Sequence, residues 1–420
     1  MKRYRIWAAA MLLATVPDCA VEDSDVDTSF IVGGRAESGY PSVGYYSEFW
    51  YNSFWDWRCG ATLALSSDIA ITAAHCVDYT RPRAIGFGAI DSGPLHTARA
   101  LVHPRFATTD THDIAVVVLD QPVTGVDPAQ LAPPVNGACN YRQVGYGRNV
   151  AGPPDVPDGY DGQRKSAQIC IQDVGRDFVK VKSPDAALCY GDSGSPLMVE
   201  GSNLMVAIDS KGYITGDCYA GKRQNLEWPT YADRDWLYRT VFAGHLVKHL
   251  YRHYLHREPN EADWLFHVKP LVNSGRLPSD ARAVFVDSPE TKIQIPVRDF
   301  VSGLYVRYLG RSADSAGLAA WVAALDSGMK RSRVRDSFLN SAEAKLKVSN
   351  GSFAHNLFRH ILGREPSSSE LAARQRQLDG GELRSRVVTE FLDSAEFARR
   401  DLPGVQAATT LARIFDYSGL

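Results

Sequence analysis

The sequence has no large excess of charge of either sign. Its 420 residues contain 46 Lys and Arg against 48 Asp and Glu, a formal net charge of −2 at pH 7. Because domains that bind nucleic acid usually carry a strongly basic surface, the composition predicts no nucleic-acid partner. The charged and hydrophobic fractions, 22% and 45%, are ordinary for a globular protein. The length predicts two or three domains.

A run of apolar residues long enough to span a bilayer is missing. The apolar residues at 6–16 follow a basic N-terminus, and this run is shorter than the roughly 20 residues that a transmembrane helix needs. The pattern is typical of an export signal. We therefore predict a signal peptide at residues 1–20, no membrane span, and a secreted protein. A periplasmic protein, or one anchored by a lipid at Cys19, is the alternative.

Cysteine is scarce, with seven residues in the whole chain. If Cys19 leaves with the signal peptide, six remain. An even number of cysteines in an exported protein predicts disulfide bridges rather than free thiols.

The stretch from Cys189 to Pro196 reads Cys-Tyr-Gly-Asp-Ser-Gly-Ser-Pro. The first of its two serines, Ser193, stands close to two glycines, which leave room beside it and adopt backbone conformations that other residues avoid. The hydroxyl of Ser193 can attack a carbonyl carbon while the N–H groups of Gly191 and Ser193 hold the oxyanion. The same residue types also form ordinary turns, so a nucleophile is predicted only if a base and a carboxylate accompany it.

Both partner groups occur upstream of this stretch. His75 follows the apolar residues 69–74, and Asp113 precedes the apolar residues 114–119. A histidine takes the proton of the hydroxyl, and a carboxylate fixes the histidine tautomer and stabilises its cation. The chain order His75, Asp113, Ser193 is one of the known orders of this triad.

Four motifs carry a family resemblance: I-V-G-G at 31–34, T-A-A-H-C at 72–76, D-I-A at 113–115 and G-D-S-G-S-P at 191–196. On these motifs, residues 31–243 resemble a bacterial, secreted serine protease of the trypsin/chymotrypsin type. The resemblance implies an all-β domain of two six-stranded barrels, which the short apolar runs between Gly, Pro, Asn and Asp also favour. It implies an endopeptidase that cuts protein or peptide substrates with His75, Asp113 and Ser193 and needs no cofactor or metal.

The resemblance also implies a precursor. Residues 21–30 are acidic and polar and are expected to form a pro-segment. Cleavage before Ile31 would free an α-ammonium that pairs with Asp192 and orders the oxyanion loop. The residue before the cut is Phe30, so an enzyme with an apolar pocket could process itself.

Two disulfide bridges follow from the resemblance, Cys59–Cys76 and Cys189–Cys218. Cys139 and Cys170 lack their usual family partners here. We infer a bridge between these two because their strands are expected to be neighbours.

The predicted substrate pocket contains Ala187, Leu188, Ser210 and Gly212. Ala187 takes the position at the base of the pocket, six residues before the nucleophile, where trypsin-like enzymes have an aspartate. Without that charge, a Lys or Arg side chain would be buried unpaired. The sequence therefore predicts that the residue before the scissile bond, P1, is apolar rather than basic, and that Ser210 supports Asp113.

Residues 244–420 have a helical pattern and contain a repeat of about 53 residues. We place its three units at about 245–295, 297–348 and 352–400. Their Leu-Gly-Arg and Phe-Leu-x-Ser motifs resemble a repeat of unknown function in secreted bacterial proteins, distantly similar to phycobilisome linker domains. An all-α repeat region for attachment or protein contact is predicted.

Four histidines in the first unit share one helical stripe: His245, His249, His253 and His256. Histidines at such spacing can bind zinc or copper. No cysteine or acidic cluster accompanies them, and the other units do not repeat the stripe, so we interpret it as a solvated face. For the whole protein, two alternatives to the endopeptidase stay open: a catalytically inactive binding or adhesion protein with a protease fold, and an esterase with little peptidase activity.

Overall fold

A computed structural model describes residues 31 and 34–398, except 51–53, 91, 110, 149–160, 176, 185, 187 and 213–224. The strands are β1 (Arg35–Ala36), β2 (Val43–Trp50), β3 (Phe54–Leu63), β4 (Ile69–Thr72), β5 (Arg83–Phe87), β6 (Leu95–Val102), β7 (Ala115–Leu119), β8 (Gln130–Leu131), β9 (Tyr141–Gly145), β10 (Lys165–Val174), β11 (Val179–Lys182), β12 (Pro196–Val199), β13 (Leu204–Gly212) and β14 (Asn225–Pro229).

These strands form two six-stranded barrels, as the sequence predicted. The first barrel closes in the order β2-β3-β4-β7-β6-β5. The second runs β10-β11-β14-β13-β12-β9 and closes through pairing of β9 with β10, while β1 joins β10 and the short β8 lies parallel to β13. A fully closed barrel leaves no unpaired strand edge.

The strand sequences explain which parts of each barrel are buried. Every residue of β4 (Ile-Ala-Ile-Thr) and β7 (Ala-Val-Val-Val-Leu) is buried, and such apolar, β-branched runs are typical of strands covered on both faces. In β11 (Val-Lys-Val-Lys) burial alternates residue by residue, which is the pattern of a strand with one face exposed to solvent. The β4–β7 side of the first barrel is therefore covered by another part of the molecule, whereas β11 of the second barrel has a face in solvent.

The helices follow the barrels, apart from one short turn of helix between β6 and β7. They are α1 (Phe106–Thr109), α2 (Arg234–Leu250), α3 (Glu261–Asn273), α4 (Pro278–Asp287), α5 (Pro289–Gln294), α6 (Val297–Leu304), α7 (Ser315–Asp326), α8 (Arg331–Asn340), α9 (Ala342–Lys347), α10 (Asn350–Leu357), α11 (Ser368–Asp379), α12 (Arg384–Leu392) and α13 (Ala395–Ala398). None of the helices in the described part of the chain is both long and apolar enough to cross a membrane.

Helix α2 joins the barrels to the repeats without a break, because it runs straight across the predicted boundary at residues 243 and 244. Gly244 lets this helix approach the first barrel closely: a Cβ atom there would lie 3.4 Å from Val118 and 3.3 Å from Trp264 of α3. Further along, Nζ of Lys248 donates to the carbonyl oxygen of Asp120 at 3.0 Å. The first unit is thus packed on the first barrel. The apolar core of that barrel continues into the first and third units, whereas most of the second unit's core forms a separate cluster.

The predicted solvated histidine stripe is wrong for two of its members. His245 and His249 are buried, with 6% and 7% exposure, because the face of α2 that carries them lies against the first barrel. Nε2 of His245 lies 2.9 Å from Oδ1 of Asp68 in the loop before β4. Helical periodicity located the stripe correctly, but it could not show that another domain covers it.

In each repeat unit, one arginine forms an ion pair that joins the first motif of the unit to its last. In every unit a helix ends in a π-helical turn and then in a residue with left-handed backbone, namely His256, Gly310 and Gly363. The arginine that follows pairs with the glutamate of the unit's last motif: Arg257 with Glu290, Arg311 with Glu343 and Arg364 with Glu396. These repeated ion pairs explain why both motifs recur in the sequence.

The three units form a closed ring rather than an open stack. A residue at the end of one unit's central helix, or just after it, accepts a hydrogen bond from the first turn of the next unit's central helix. Asp287 accepts from the hydroxyl of Ser332, Asn340 from the N–H of Ser385, and Asp393 from the hydroxyl of Ser279. The third contact joins the last unit back to the first, so that α4, α8 and α12 touch one another pairwise. Ring closure leaves no terminal unit with an unpaired apolar face.

Candidate active site

The first element of the site is the pair of His75 and Asp113. His75 lies in a single 3₁₀ turn, Ala74–Cys76, directly after β4, and Asp113 lies two residues before β7, which pairs with β4. Nδ1 of His75 is 2.7 Å from Oδ2 of Asp113, and the backbone N–H of His75 donates to Oδ1 at 2.9 Å. The pairing of two adjacent strands therefore sets this contact.

The environment keeps Asp113 ionised. Its side chain is buried, which alone raises the pKa of a carboxyl group, but hydrogen bonds from His75 and Ser210 and the charge of His75 outweigh that effect and lower it. Oγ of Ser210 donates to Oδ2 at 2.7 Å. The ring of His75 is 36% exposed, whereas Asp113 is 1% exposed. A buried anion that orients a half-open imidazole is the arrangement a general base needs.

A second support for Asp113 was not predicted from the sequence. His112, the preceding residue, has a left-handed backbone with φ 58°, which is uncommon for a residue other than glycine. Its Nδ1 lies 2.9 Å from Oδ1 of Asp233, whose Oδ2 also accepts from the indole N–H of Trp228 at 2.7 Å. These bonds hold the loop that presents Asp113. They join residues far apart in the chain, so no local motif could predict them.

The loop of Ser193 is held between the two barrels. Gly191 and Gly194 have φ values of 91° and 76°. A Cβ atom on Gly194 would lie 2.6 Å from the carbonyl oxygen of Gly60 and closer still to Oγ1 of Thr72. The N–H of Gly60 donates to the carbonyl of Ser193 at 2.8 Å. The backbone beside Ser193 therefore packs against the end of β4, just before the turn that carries His75.

The side chain of Asp192 stabilises the same loop by hydrogen bonds. It is fully buried and accepts the N–H of Gly147 and the N–H of Cys189, each at 2.9 Å. Ile31 is also fully buried, in a small cluster with Leu188 and two alanines of the second barrel. The predicted activation residues, Ile31 and Asp192, thus lie on either side of one segment, Leu188–Cys189.

The structure contains two of the predicted disulfide bridges, Cys59–Cys76 and Cys139–Cys170. The first ties the turn of His75 to β3, and the second joins the loop before β9 to β10. Cys189 is disulfide-bonded, but its predicted partner Cys218 lies outside the described residues.

The predicted pocket residues are only partly within the described chain. Leu188 is buried and Ser210 bonds to Asp113. Gly212 is the last residue of β13, opposite Asn225 of β14, and Ala187 lies outside the described residues. Beside these positions the structure places a residue that the sequence analysis missed, Glu227 of β14, which is fully buried.

Two clusters bring potential metal ligands together within the described chain: Cys59, His75 and Cys76, and a second one of His103, His112 and Asp233. The two cysteines of the first are bonded to each other. In the second, the rings of His103 and His112 stack with centroids 4.4 Å apart and planes 12° apart. An ion in the plane of one ring would lie out of the plane of the other, so this pair fits a metal poorly.

Two family models match parts of the chain. Residues 31–236 match the family model for trypsin, and residues 282–348 and 336–400 match a domain of unknown function, DUF4214. Similar solved structures include neuropsin, a serine protease expressed in the limbic system of mouse brain, at 20% identity and a TM-score of 0.41 over 50% of this chain and 98% of that one. Human heparin binding protein is 17% identical, with a TM-score of 0.40 over 49% of this chain and 94% of that one.

No curated protein matches the chain. The family models, the two closed barrels and the repeated helical units together identify residues 31–236 as a trypsin-like domain and the region at 282–400 as DUF4214 repeats.

Proposed function

We propose that the protein is a secreted serine endopeptidase with the triad Ser193, His75 and Asp113. The hydroxyl of Ser193 attacks the carbonyl carbon of the scissile peptide bond. His75 takes the hydroxyl proton and gives it to the leaving amine, which leaves an acyl-enzyme. A water molecule, deprotonated by the same histidine, then attacks the ester and releases the product acid. Asp113 stabilises the imidazolium in both halves of the reaction.

The observation that carries this proposal is the bonding of Asp113. Its carboxylate accepts hydrogen bonds from the backbone N–H of His75 and from the hydroxyl of Ser210. The same carboxylate lies 2.7 Å from Nδ1 of His75. This bonding leaves the other ring nitrogen, Nε2, as the one that can act as base. A buried aspartate used only for folding has no need of a half-exposed histidine as its partner.

The oxyanion would be held by the N–H groups of Gly191 and Ser193. The positive φ of Gly191, 91°, supports this role, because it turns the backbone in a way that only glycine adopts without strain. Cleavage before Ile31 would free an α-ammonium for Asp192, and the burial of Ile31 beside Leu188 supports that pairing.

The rival function is an inactive binding protein with the same fold. We would treat the secreted, processed protein with a small alkyl fluorophosphonate and identify the modified peptide by mass spectrometry. Stoichiometric modification of Ser193 is expected, with none in Ser193→Ala and full modification in Ser202→Ala, a serine outside the site. Correctly processed protein that stays unmodified would support the binding protein.

An esterase with little peptidase activity is the other alternative. Ester and amide substrates with the same acyl group separate the two functions. A serine endopeptidase cleaves both, and its acyl-enzyme forms from either. Cleavage of the ester alone, at any amide concentration, would favour the esterase.

Secretion and the role of the ring are further parts of the proposal. The disulfides support an oxidising compartment. Because α2 is shared by the protease and the first unit, the ring is carried in a fixed orientation to the cleft. We propose that it attaches the enzyme to a surface or to another protein.

A further inference from the structure

Two carboxyl groups face each other across the strands next to the nucleophile. Glu227 of β14 is the direct cross-strand partner of Asp209 of β13, and directly paired residues project from the same face of a sheet, with Cβ atoms about 5 Å apart. Glu227 is 0% exposed and Asp209 is 6% exposed. Two charged carboxylates in this position repel each other, so the pair destabilises the second barrel unless a cation offsets the repulsion.

Glu227 is the residue that makes this pair unusual. Both of its carboxylate oxygens are buried, and neither has a hydrogen-bond partner within the described part of the chain. Burial and the charges of Asp209 and Asp192 raise the pKa of Glu227 well above its ordinary value. A buried carboxyl group without partners costs free energy unless something else supplies a donor and a positive charge.

The pair lies beside the proposed catalytic groups. The backbone of Asp209 is bonded on both sides to the nucleophile loop: its carbonyl accepts from Gly194 at 2.8 Å and its N–H donates to Ser195 at 2.9 Å. The next residue, Ser210, bonds to Asp113. The third acidic group, Asp192, immediately precedes Ser193. Acidic side chains are therefore concentrated behind the serine that would be acylated.

We propose that Glu227, together with Asp209, is the specificity determinant of the substrate pocket and binds the cationic side chain of a P1 Lys or Arg. This inference rests on the proposed protease function and differs from the sequence-based prediction of an apolar P1, which followed from the lack of an aspartate at Ala187. A guanidinium or ammonium group brings both the hydrogen-bond donors and the charge that Glu227 lacks.

A metal ion is a weaker fit for these carboxyl groups. Among the described residues, the groups whose ligand atoms lie close enough to share one ion do not include Asp192, Asp209 and Glu227. A P1 cation needs only Glu227 and Asp209 and does not depend on such a three-carboxylate cluster. Burial and the neighbouring acids favour the neutral form of Glu227, whereas a bound cation favours its charged form, so P1 recognition and ionisation are coupled.

The test uses the full, processed protein and matched peptide substrates that differ only at P1, with Arg, Lys, Phe, Leu or Ala. We expect kcat/KM to be highest for Arg and Lys. Glu227→Gln is nearly isosteric and should lower the Arg-to-Leu ratio of kcat/KM by about 30-fold or more, the scale of removing one partner of a buried charge pair. Glu200→Gln removes an exposed carboxylate of the same barrel and should leave the ratio unchanged.

Fluorophosphonate modification of Ser193 separates the two levels of the proposal. Modified wild-type protein that prefers Phe or Leu at P1 overturns the cation pocket and leaves the protease intact. An Arg-to-Leu ratio that Glu227→Gln leaves unchanged, while the variant only becomes more stable at neutral pH, would show a structural carboxyl pair instead. An Arg preference that requires added Ca²⁺ and disappears with a chelator would assign the site to a metal. Loss of labelling in wild type would remove the protease function itself.

Discussion

Nε2 of His245 lies 2.9 Å from Oδ1 of Asp68, a contact between the first barrel and the helix that begins the repeats. Both side chains are buried, at 5% and 6% exposure. A second ion pair, between the buried Arg83 of β5 and Glu261 of α3, joins the same two regions. The protease domain and the ring of repeats are therefore parts of one folded body.

The stability of this junction should depend on pH. Burial raises the pKa of Asp68, but the hydrogen bond and charge of His245 and other donors outweigh it and lower the pKa to about 2. A lowered carboxyl pKa stabilises the fold above the ordinary value of 3.8, and this stabilisation is lost as the pH falls towards 2. We expect Asp68→Asn to reduce the free energy of unfolding at pH 7 by about 3 kcal/mol and to weaken its acid dependence.

Urea unfolding followed between pH 7 and pH 2.5 checks this prediction. Asp120→Asn is the control, since Asp120 pairs with Arg99 near the surface and should change stability by less than about 1 kcal/mol. Equal losses of unfolding free energy in the two variants would mean that the Asp68–His245 contact stabilises the protein no more than a surface ion pair does.

The carboxylate of Asp113 should matter for catalysis much more than for folding. Asp113→Asn lets the side-chain amide bind the wrong tautomer of His75, so kcat should fall by about 10⁴-fold with the structure retained. Ser210→Ala removes one hydrogen bond to the charged carboxylate and should cost about tenfold or more. Peptide hydrolysis and circular dichroism of the processed variants measure both effects. A loss in Ser210→Ala as large as that in Asp113→Asn would show that the serine has a direct role.

Gly194 should be intolerant of any side chain. Its φ of 76° would strain an alanine, and the added Cβ would also lie 2.6 Å from the carbonyl oxygen of Gly60. Gly201 is a matched control, because it has φ 69° and open space around it. Gly201→Ala should cost about 1 kcal/mol from backbone strain alone. Gly194→Ala should cost more and also abolish labelling of Ser193, as measured by thermal unfolding and by fluorophosphonate.

The closure of the ring can be tested at Asp393. Its carboxylate accepts both the N–H and the hydroxyl of Ser279, at 3.0 and 2.7 Å, across 114 residues of sequence. Asp287 makes the same two bonds with Ser332 between consecutive units. If the ring is closed in solution, Asp393→Ala and Asp287→Ala should each destabilise the protein by about 1–2 kcal/mol, the value of a helix cap. In an open array, only Asp287→Ala would do so.

Hydrogen exchange gives a second measurement of the ring. In a closed ring the amide of Ser279 is protected to a degree similar to that of Ser332. Exchange of Ser279 at the rate of an unprotected amide would indicate that the last unit separates from the first.

Local sequence was sufficient for much of the site. The glycines around Ser193, the apolar run before His75 and the one after Asp113 are each short segments whose residue types require a turn or a buried strand. The two barrels and the Cys59–Cys76 bridge were predicted from the family resemblance, and the Cys139–Cys170 bridge from the expectation that its strands are neighbours. The 53-residue repeat was visible because each unit must bury the same face.

Other features depend on segments that meet only in the folded chain. Glu227 looks like an ordinary strand residue until strand pairing places it opposite Asp209. The histidine stripe looked solvated because helical spacing does not reveal what packs on a helix, and Asp68 lies 177 residues away. The sequence by itself determined the strands, the helices and the glycine-rich turn around Ser193, since these follow from backbone conformation and local burial. Tertiary structure alone decided the charge behind the nucleophile, the junction of the domains and the closure of the ring, because electrostatic and packing energies depend on distance in space rather than along the chain.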